Sequence, residues 1–354
     1  MKTVDRYLAR QIFIGLLIAT AVLLPLLSFF DLLDQLDAVG QGTYQVKDAF
    51  VYVLLLMPRR FLQLVPFIAL LGNVTALGRL AMHHELISLR AAGLSPVRIS
   101  LTSLRVGLFL LLFTAVLEQF VAPDLQQNAQ LRRSAALEQS MGLGRDLGIW
   151  SRDKRNILRI GAMEHASSAS NIEIMHFGTD GFLQSYIYAL RADIIAADKW
   201  RLFDVTRKTF DDQGVESDRS GPMIWKPFLD TGQIGTLTKP PESLSPVELF
   251  NHVRFLRATG QDAEAYALAL WRKAGSGLNT IAMMLLSLPF AFGSVRSGLG
   301  GRLVLASLTG IGVYLLDLIA SNIGLLLNLN PAVVALSPGA VLLMLAWLWL
   351  RRVH

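Results

Sequence analysis

The sequence predicts an α-helical membrane protein with six transmembrane helices and a β-jellyroll domain inserted between helices 3 and 4. Long apolar segments stand at both ends of the 354-residue chain. Between them, residues 124–265 have the composition of a soluble protein and alternate apolar and polar residues in short runs. The predicted domains are therefore residues 1–123, 124–265 and 266–354.

The six predicted spans follow from segment length, because a helix needs about 20 mostly apolar residues to cross a hydrocarbon core of about 30 Å. Three apolar segments precede the soluble domain: Gln11–Phe30, Phe61–Gly78 and Val106–Ala122. Three more follow it: Ala274–Val295 and the two halves of Leu303–Leu350, which Asn328–Pro331 divides. The first segment has full length and continues into aspartates, so we expect a permanent span rather than a cleaved signal peptide.

Lysines and arginines predict the orientation of the spans, because cytoplasmic loops carry an excess of these residues. Six crossings place both termini on one side, which holds ten basic residues: Lys2, Arg6, Arg10, Arg79, Arg90, Arg98, Arg296, Arg302, Arg351 and Arg352. The other side and its interface hold five: Lys47, Arg59, Arg60, Arg272 and Lys273. We therefore expect both termini to be cytoplasmic and the central domain to lie outside the cytoplasm, which in a bacterium is the periplasm.

The composition argues against several classes of function. Residues 123–265 hold 17 Lys+Arg and 19 Asp+Glu, and the remainder holds 16 and 8, so the net charge of +6 belongs to the membrane part. This excess is spread over helix ends, which favours anionic lipid over nucleic acid as a partner. The chain has no cysteine, its six histidines lack metal-ligand spacing, and no catalytic or nucleotide-binding motif occurs. We expect no catalytic residue, metal site or bound cofactor in this chain.

The soluble domain has the pattern of a β-sandwich or jelly roll. Asn171–Phe177 and Phe182–Tyr188 flank Asp180-Gly181, a dipeptide typical of hairpin turns. Trp200–Phe210 leads into a second turn that ends at Gly214. Helices are predicted at the two ends of the domain, over Asp124–Met141 and Pro246–Thr259.

The loop between spans 2 and 3 contains a predicted amphipathic helix at about residues 79–92. Apolar and charged residues alternate there with helical spacing, and Gly93 is a suitable C-terminal cap. Such a helix fits a groove on a soluble partner or, equally, the membrane surface. The candidate partner contacts are His84, Glu85, Leu86, Leu89 and Arg90.

Basic residues are expected near the periplasmic ends of the spans. Arg59 and Arg60 precede span 2 directly, after a kink expected at Pro58, and Arg133 lies at a similar height. Guanidinium groups bind phosphate through paired hydrogen bonds, which makes these arginines candidate contacts for lipid phosphates. The alternative is that they anchor the helices by extending into the headgroup layer.

Four aspartates lie in or next to the predicted spans. Asp31, Asp34 and Asp37 are spaced three apart and share a face at the end of span 1. A solvated helix end is the expected role, and the alternatives are salt bridges to arginines or a metal site for chemistry on lipid phosphates. Asp317 lies within span 5, where a carboxylate is costly, and it is either functional or paired with a neighbouring helix.

Six segments of the chain resemble the LptF/LptG permease family: Val4–Tyr7, Gly40–Tyr44, Glu85–Gly93, Ala122-Pro123, Thr259–Asp262 and Phe290–Gly293. The resemblance extends over about residues 4–350 and is weakest in the β-domain. Gly40–Tyr44 and Thr259–Asp262 favour the LptG branch of the family. The alternatives are the LptF branch and a permease for another lipid.

The resemblance implies a permease subunit of an ABC transporter that extracts lipopolysaccharide from the outer leaflet of the inner membrane and passes it to a periplasmic bridge. The implied partners are an LptF-like permease, an LptB-like ATPase dimer that binds ATP and Mg²⁺, and an LptC-like single-span protein. Glu85 and its neighbours would contact the ATPase, and Arg59 and Arg133 the lipid phosphates. Relatives often carry lysines where this chain has Asp31 and Asp37, so this acidic face would act through divalent cations or line the lipid cavity.

Overall fold

The computed structural model describes residues 2–137, 149–152, 155–165, 168–178, 180–196, 199–211, 214–227, 240–292, 299–327 and 329–352. The chain divides into two compact units. The helical unit contains Met1–Gly40, Tyr44–Arg133 and Glu264–His354. The sheet unit contains Gln41–Thr43 and Ser134–Ala263.

The helices of the described residues follow the apolar pattern of the sequence. Before the sheet they are α1 (Lys2–Leu36), α2 (Val46–Met82), α3 (Glu85–Ala91), α4 (Pro96–Phe120) and α5 (Ala122–Leu137). After the sheet they are α6 (Pro246–Thr259), α7 (Glu264–Phe292), α8 (Leu299–Leu326) and α9 (Pro331–Arg352), and a 3₁₀ turn, Pro241–Ser243, precedes α6.

In the described part of the chain, five helices are long and apolar enough to cross a membrane: Thr3–Leu36, Val46–Met82, Val97–Phe120, Gly300–Gly324 and Pro331–Trp349. The predicted fourth span, Ala274–Val295, overlaps α7, but its last residues lie outside the described ones. Six crossings are therefore not confirmed. Span 2 is longer than predicted, because α2 runs through Pro58 and Pro66 as one helix of 37 residues.

Glycine brings α1 and α2 into close contact. A Cβ atom on Gly15 would lie 2.2 Å from the carbonyl oxygen of Gly72, and one on Gly72 would lie 2.7 Å from the Cα of Leu16. Real atoms do not approach this closely, so the two helices meet here only because neither glycine has a side chain. Ile12 and Ile68 are fully buried in the core cluster beside this contact.

A buried polar cluster joins α2 to α4 and α7. The Asn73 side chain is fully buried and its Nδ2 donates to the carbonyl oxygen of Met284 at 3.1 Å and to Ser287 Oγ at 2.6 Å. Ser103 Oγ donates to Asn73 Oδ1 at 3.4 Å. An amide inside an apolar core is costly unless its hydrogen bonds are made, so these contacts fix the relative register of the three helices.

The strands of the sheet unit pair in chain order. They are β1 (Ile149–Arg152), β2 (Asn156–His165), β3 (Ser168–Phe177), β4 (Leu183–Ala196), β5 (Lys199–Asp211), β6 (Gly214–Ser220) and β7 (Met223–Trp225). Neighbours from β1 to β6 pair antiparallel, and β7 pairs with β5. The described strands thus form one antiparallel meander.

Both predicted hairpins are confirmed. β3 and β4 pair across the Asp180-Gly181 turn, where Gly181 has φ +83°, and β5 pairs with β6 up to Asp211 opposite Gly214. Thr179 and residues 212–213 of the two turns lie outside the described residues. The predicted jelly roll is not confirmed, because a jelly roll combines two sheets through Greek-key connections. The described strands form one sheet, in which β1 to β6 pair in chain order and β7 pairs with β5.

One face of the sheet carries the core of this unit. Buried residues from β2 to β5 form a single hydrophobic cluster, with Trp200 and Leu202 among its fully buried members. The Trp200 and Trp225 rings meet edge to face, with centroids 5.7 Å apart. Phe255 of α6 packs against the cluster. The alternation of the strands therefore gives a sheet with one buried face, against which Phe255 of α6 packs.

The two predicted flanking helices are present. α5 covers Ala122–Leu137, and residues 138–141 of its predicted range lie outside the described part. α6 covers the predicted Pro246–Thr259 and begins with a capping box, in which Ser245 Oγ accepts from Glu248 N–H and the Glu248 side chain accepts from Ser245 N–H. It ends at Gly260, which has φ +71°. These are the local start and stop signals that the sequence contains.

Replacing Gly15 by alanine is expected to destabilise the helical unit, because the added methyl group collides with the α2 backbone. Overpacking of this kind costs about 1–3 kcal/mol. Gly312→Ala in α8 is the matched control, since a Cβ there meets no atom within 4 Å. Thermal unfolding of the purified chain in detergent should give a lower midpoint for Gly15→Ala only. Equal midpoints for both variants would contradict the close contact.

Candidate functional site

Charged side chains near the α1 C-terminus and on neighbouring helices form ion pairs that join α1, α2, α4, α7 and α8. We call this set the ionic belt; its members are Asp31, Arg59, Arg60, Glu118, Arg272, Lys273 and Asp317. Five of the seven lie in helices that are long and apolar enough to cross a membrane, where an unpaired charge is costly. The belt therefore determines which of the predicted basic residues are already paired with a carboxylate and which remain available to bind a ligand.

Arg60 is bound by Asp31 in a bidentate ion pair between α2 and α1. Its Nε lies 2.6 Å from Asp31 Oδ2 and its Nη2 lies 2.5 Å from Asp31 Oδ1. Its Nη1 donates to Gln63 Oε1 at 2.8 Å. This is the fork geometry that guanidinium groups use for carboxylates and phosphates alike, and here a carboxylate occupies it.

Glu118 of α4 is shared by two cations. Its Oε1 accepts from Arg59 Nη1 at 3.1 Å and from Lys273 Nζ at 2.5 Å. The three side chains are only 11–16% exposed. A largely buried carboxylate between two cations holds α2, α4 and α7 together, and its loss would leave two cations close to each other.

Asp317 has a partner on a neighbouring helix. Its Oδ2 lies 3.4 Å from Nη2 of Arg272 in α7. Of the two roles expected for this carboxylate, the structure supports pairing with a neighbouring helix, here through Arg272 of α7.

The three aspartates at the end of α1 do not act together. Asp31 pairs with Arg60, Asp34 is exposed, and Asp37 follows the last helical residue, Leu36. The expected solvated helix end therefore holds for Asp34 and is wrong for Asp31, for which the salt-bridge alternative is found. Among the described residues, no group of three His, Asp or Glu side chains is arranged to hold a metal.

Arg133 differs from the belt arginines because its partner is neutral. It lies in a corner where α5 meets the end of α1, and we call Gln35, Tyr44, Tyr52 and Arg133 the α1–α5 corner. Arg133 Nε donates to Gln35 Oε1 at 2.8 Å, and the guanidinium lies 5.9 Å from the centre of the Tyr52 ring. No described carboxylate pairs with Arg133. Its positive charge is therefore not neutralised by any carboxylate in the described part of the chain.

The turn after α1 folds back to complete this corner. Gly40, with φ +91°, donates its N–H to the carbonyl oxygen of Tyr44 at 3.1 Å. The Tyr44 side chain is 2% exposed and its hydroxyl donates to Gln35 Oε1 at 3.3 Å. Burial raises the pKa of the Tyr44 phenol, so it remains a hydrogen-bond donor at neutral pH. The Gly40–Tyr44 segment therefore has a structural role in this chain: it forms the turn that places the Tyr44 hydroxyl on Gln35.

At the opposite end of the helical unit, the helix predicted over Arg79–Ala92 is interrupted. α2 continues to Met82, His83 and His84 form a turn, and α3 begins at Glu85. His84 has φ +59°, a left-handed conformation that no α-helix contains. The helical spacing of apolar residues is therefore divided between α2 and α3, which this turn separates.

Two of the predicted partner contacts are directed into the chain itself. Leu86 is buried in a cluster with Leu8, Leu77 and Ile99, and Leu89 packs against it. A buried leucine offers little surface to another protein, so the contact predicted for Leu86 needs correction. The apolar side chains exposed around the turn are those of Met82 and Ile87.

The polar candidates of this loop have different surroundings. Glu85 is half-buried and its Oε2 accepts from the Tyr7 hydroxyl at 2.7 Å. His84 is exposed, and the Arg90 side chain lies outside the described part of the structure. Nearby, Arg98 forms a bidentate ion pair with Asp5, with N–O distances of 3.0 and 2.8 Å. Contacts to α1 and α4 thus hold the loop on the helical unit.

Sequence reasoning missed several residues of these sites. Glu118 had one signal, as the only charged residue of Val106–Ala122. Gln35 and Tyr52 had none, because a neutral amide and a tyrosine are ordinary at helix ends. Their importance comes from Arg133, which lies 98 residues from Gln35 in the chain.

Glu118→Gln is expected to destabilise the helical unit, because Arg59 and Lys273 lose the carboxylate that they share. Breaking a buried ion pair by removing one partner costs about 3–5 kcal/mol. Asp193→Asn is the control, since the Arg191–Asp193 pair is 53% and 42% exposed and such pairs contribute about 0–1 kcal/mol. Thermal unfolding in detergent should separate the two variants clearly. A Glu118→Gln midpoint equal to that of Asp193→Asn would refute a stabilising belt.

Comparison with known proteins agrees with this architecture. The family model described as "Lipopolysaccharide export system permease LptF/LptG" matches residues 6–352. The chain is 31% identical to the lipopolysaccharide export system permease protein LptG of Escherichia coli K12 over 352 residues, which cover 98% of each chain. It is 29% identical to LptG of Haemophilus influenzae over 355 residues, 99% of each chain. The chain belongs to the LptF/LptG family of lipopolysaccharide export permeases.

Proposed function

We propose that this chain is the LptG-like permease subunit of an ABC transporter for lipopolysaccharide. It would extract the lipid from the outer leaflet of the inner membrane and pass it to a periplasmic bridge, driven by ATP hydrolysis in a separate subunit. Family membership over residues 6–352 supports a permease. The observation that carries the lipid contact is Arg133, a half-buried arginine whose hydrogen-bond partner is neutral.

In this proposal α7 is the fourth crossing in chain order, and it brings the total to six. Both termini are then cytoplasmic and the sheet unit is periplasmic, as the distribution of lysine and arginine predicts. The antiparallel meander would be part of a jellyroll that, with an LptC-like protein, carries the lipid onward. The apolar alternation of its strands supports this role.

Lipid extraction requires a large apolar surface, because each CH₂ group removed from the bilayer costs about 0.8 kcal/mol in transfer free energy. Helices α1 and α8 supply such a surface. Phe13, Leu17 and Val22 of α1 are exposed, as are Leu308 and Ile319 of α8. One chain covers only one side of a cavity, so we propose that an LptF-like permease forms the other side.

The structure favours one of the candidate phosphate contacts over the others. Arg59 and Arg60 are paired with Glu118 and Asp31, so we propose that they hold helices together. Arg133 keeps its charge and can offer a guanidinium edge to a lipid phosphate.

The surface around α3 is the proposed contact for an LptB-like ATPase. His84 and Glu85 provide polar groups, with Arg90 as a further candidate, and Met82 and Ile87 provide exposed apolar area. Leu86 and Leu89 would support this surface from inside. ATP and Mg²⁺ would bind the ATPase alone.

Reversing the charge of Glu85 tests the ATPase contact. Glu85→Lys removes the acceptor for Tyr7 and places a cation at the proposed interface, so we expect the ATPase to be lost on purification in mild detergent. Glu242→Lys, at an exposed position of the sheet unit, is the matched charge reversal and should retain it. Mass spectrometry of the purified complex gives the result. An intact complex with Glu85→Lys would count against this contact.

Reversing the charge of Arg133 tests the lipid contact. Purification of the wild-type complex should retain lipopolysaccharide, and Arg133→Glu should lower the retained amount about tenfold or more, since a charge-assisted hydrogen bond is lost and repulsion is added. Arg132→Glu is the control, because Arg132 is the exposed neighbour on the same helix. Equal losses in both variants would indicate general electrostatics rather than a phosphate contact by Arg133.

A further inference from the structure

We infer that Gln35 is a positioning residue for phosphate recognition: it orients the Arg133 guanidinium without neutralising it. This inference rests on the proposed phosphate contact of Arg133 and adds the residue that makes the contact selective. Its basis is one amide oxygen, Gln35 Oε1, which accepts from Arg133 Nε at 2.8 Å and from the Tyr44 hydroxyl at 3.3 Å.

Two donors on one carbonyl oxygen fix the orientation of the amide. An amide oxygen has two lone pairs, and here the two donors use both. The Tyr44 donor is itself immobile, since the side chain is 2% exposed and the Gly40 turn holds its backbone. The oxygen therefore meets Arg133 from a fixed direction.

This contact uses only one edge of the guanidinium. Gln35 binds Nε, while the Tyr52 ring lies 5.9 Å from the guanidinium carbon. The edge formed by Nη1 and Nη2 stays available, and it too can give two parallel hydrogen bonds to a phosphate. A guanidinium fixed by a neighbour loses less conformational entropy when the phosphate binds.

The neutral side chain of Gln35 is the feature that leaves the charge of Arg133 available for a phosphate. Aspartates stand at positions 31, 34 and 37 of the same segment, yet the side chain that reaches Arg133 is an amide. The effect of a carboxylate is visible at Arg60, where Asp31 takes both Nε and Nη2 and leaves no net charge. At Arg133 the same hydrogen-bond geometry at Nε is achieved with the full positive charge retained.

Three substitutions separate positioning from a merely structural role. Gln35→Glu keeps the shape and the acceptor but adds a charge that pairs with Arg133. Gln35→Met keeps the length and neutrality but removes the acceptor. Gln63→Glu is the matched control, because Gln63 makes the same kind of contact to Arg60, which Asp31 already neutralises.

The measurement is the affinity of the purified complex, containing the full-length chain, for bisphosphorylated lipid A and for its dephosphorylated form. Wild type and Gln63→Glu should bind the phosphorylated form more tightly. Gln35→Met should weaken that binding about threefold and Gln35→Glu about tenfold, with little change for the dephosphorylated lipid. Thermal unfolding should show Gln35→Glu to be at least as stable as Gln35→Met, since the new ion pair keeps the contact between α1 and α5.

The outcomes separate the positioning role of Gln35 from the phosphate contact of Arg133. If wild type prefers the phosphorylated lipid and Gln35→Glu binds it as wild type does, the amide has a structural role only and the inference is overturned. If wild type itself shows no preference for phosphate, the proposed contact of Arg133 fails, and the inference fails with it. The inference is supported if affinity falls in the order wild type, Gln35→Met, Gln35→Glu while Gln35→Glu is at least as stable as Gln35→Met.

Discussion

The packing of the helical unit depends on ion pairs between charged side chains that lie in apolar surroundings. A cation or a carboxylate is costly there unless it has a partner, and the partners come from different helices. Asp31, Glu118 and Asp317 each take basic residues from a neighbouring helix, so the contacts that satisfy charge also connect the spans. Arg133 instead has a neutral amide as its described hydrogen-bond partner, which makes it a candidate for binding an anion.

Close packing and buried hydrogen bonds provide the remaining contacts between helices. Inside a membrane the hydrophobic effect does not drive helices together, so backbone approach and polar contacts must do so. Gly15 and Gly72 allow the close approach of two backbones, and the hydrogen bond from Asn73 to Ser287 is a polar contact between helices. The outward faces of α1 and α8 have neither feature and are largely apolar, as expected of surfaces that meet lipid or another subunit.

Helix α1 contacts both candidate sites. Near its start Tyr7 donates to Glu85, and one residue before its end Gln35 accepts from Arg133. A helix of 35 residues spans about 52 Å, enough to cross a hydrocarbon core of about 30 Å with about two turns to spare at each end.

The sequence by itself determined the elements whose signals are local. Apolar length identified five helices long enough to cross a membrane, Asp180-Gly181 identified a hairpin, and the Ser245 cap identified the start of α6. Only the tertiary structure decided which charges pair and which leucines face inward. Lys273 meets Glu118 across 155 positions of chain, and Leu86 turns inward because His84 breaks a helix that the periodicity had joined. Hydropathy records that a segment is apolar, but not which neighbour each of its faces meets, because that depends on how the helices approach one another.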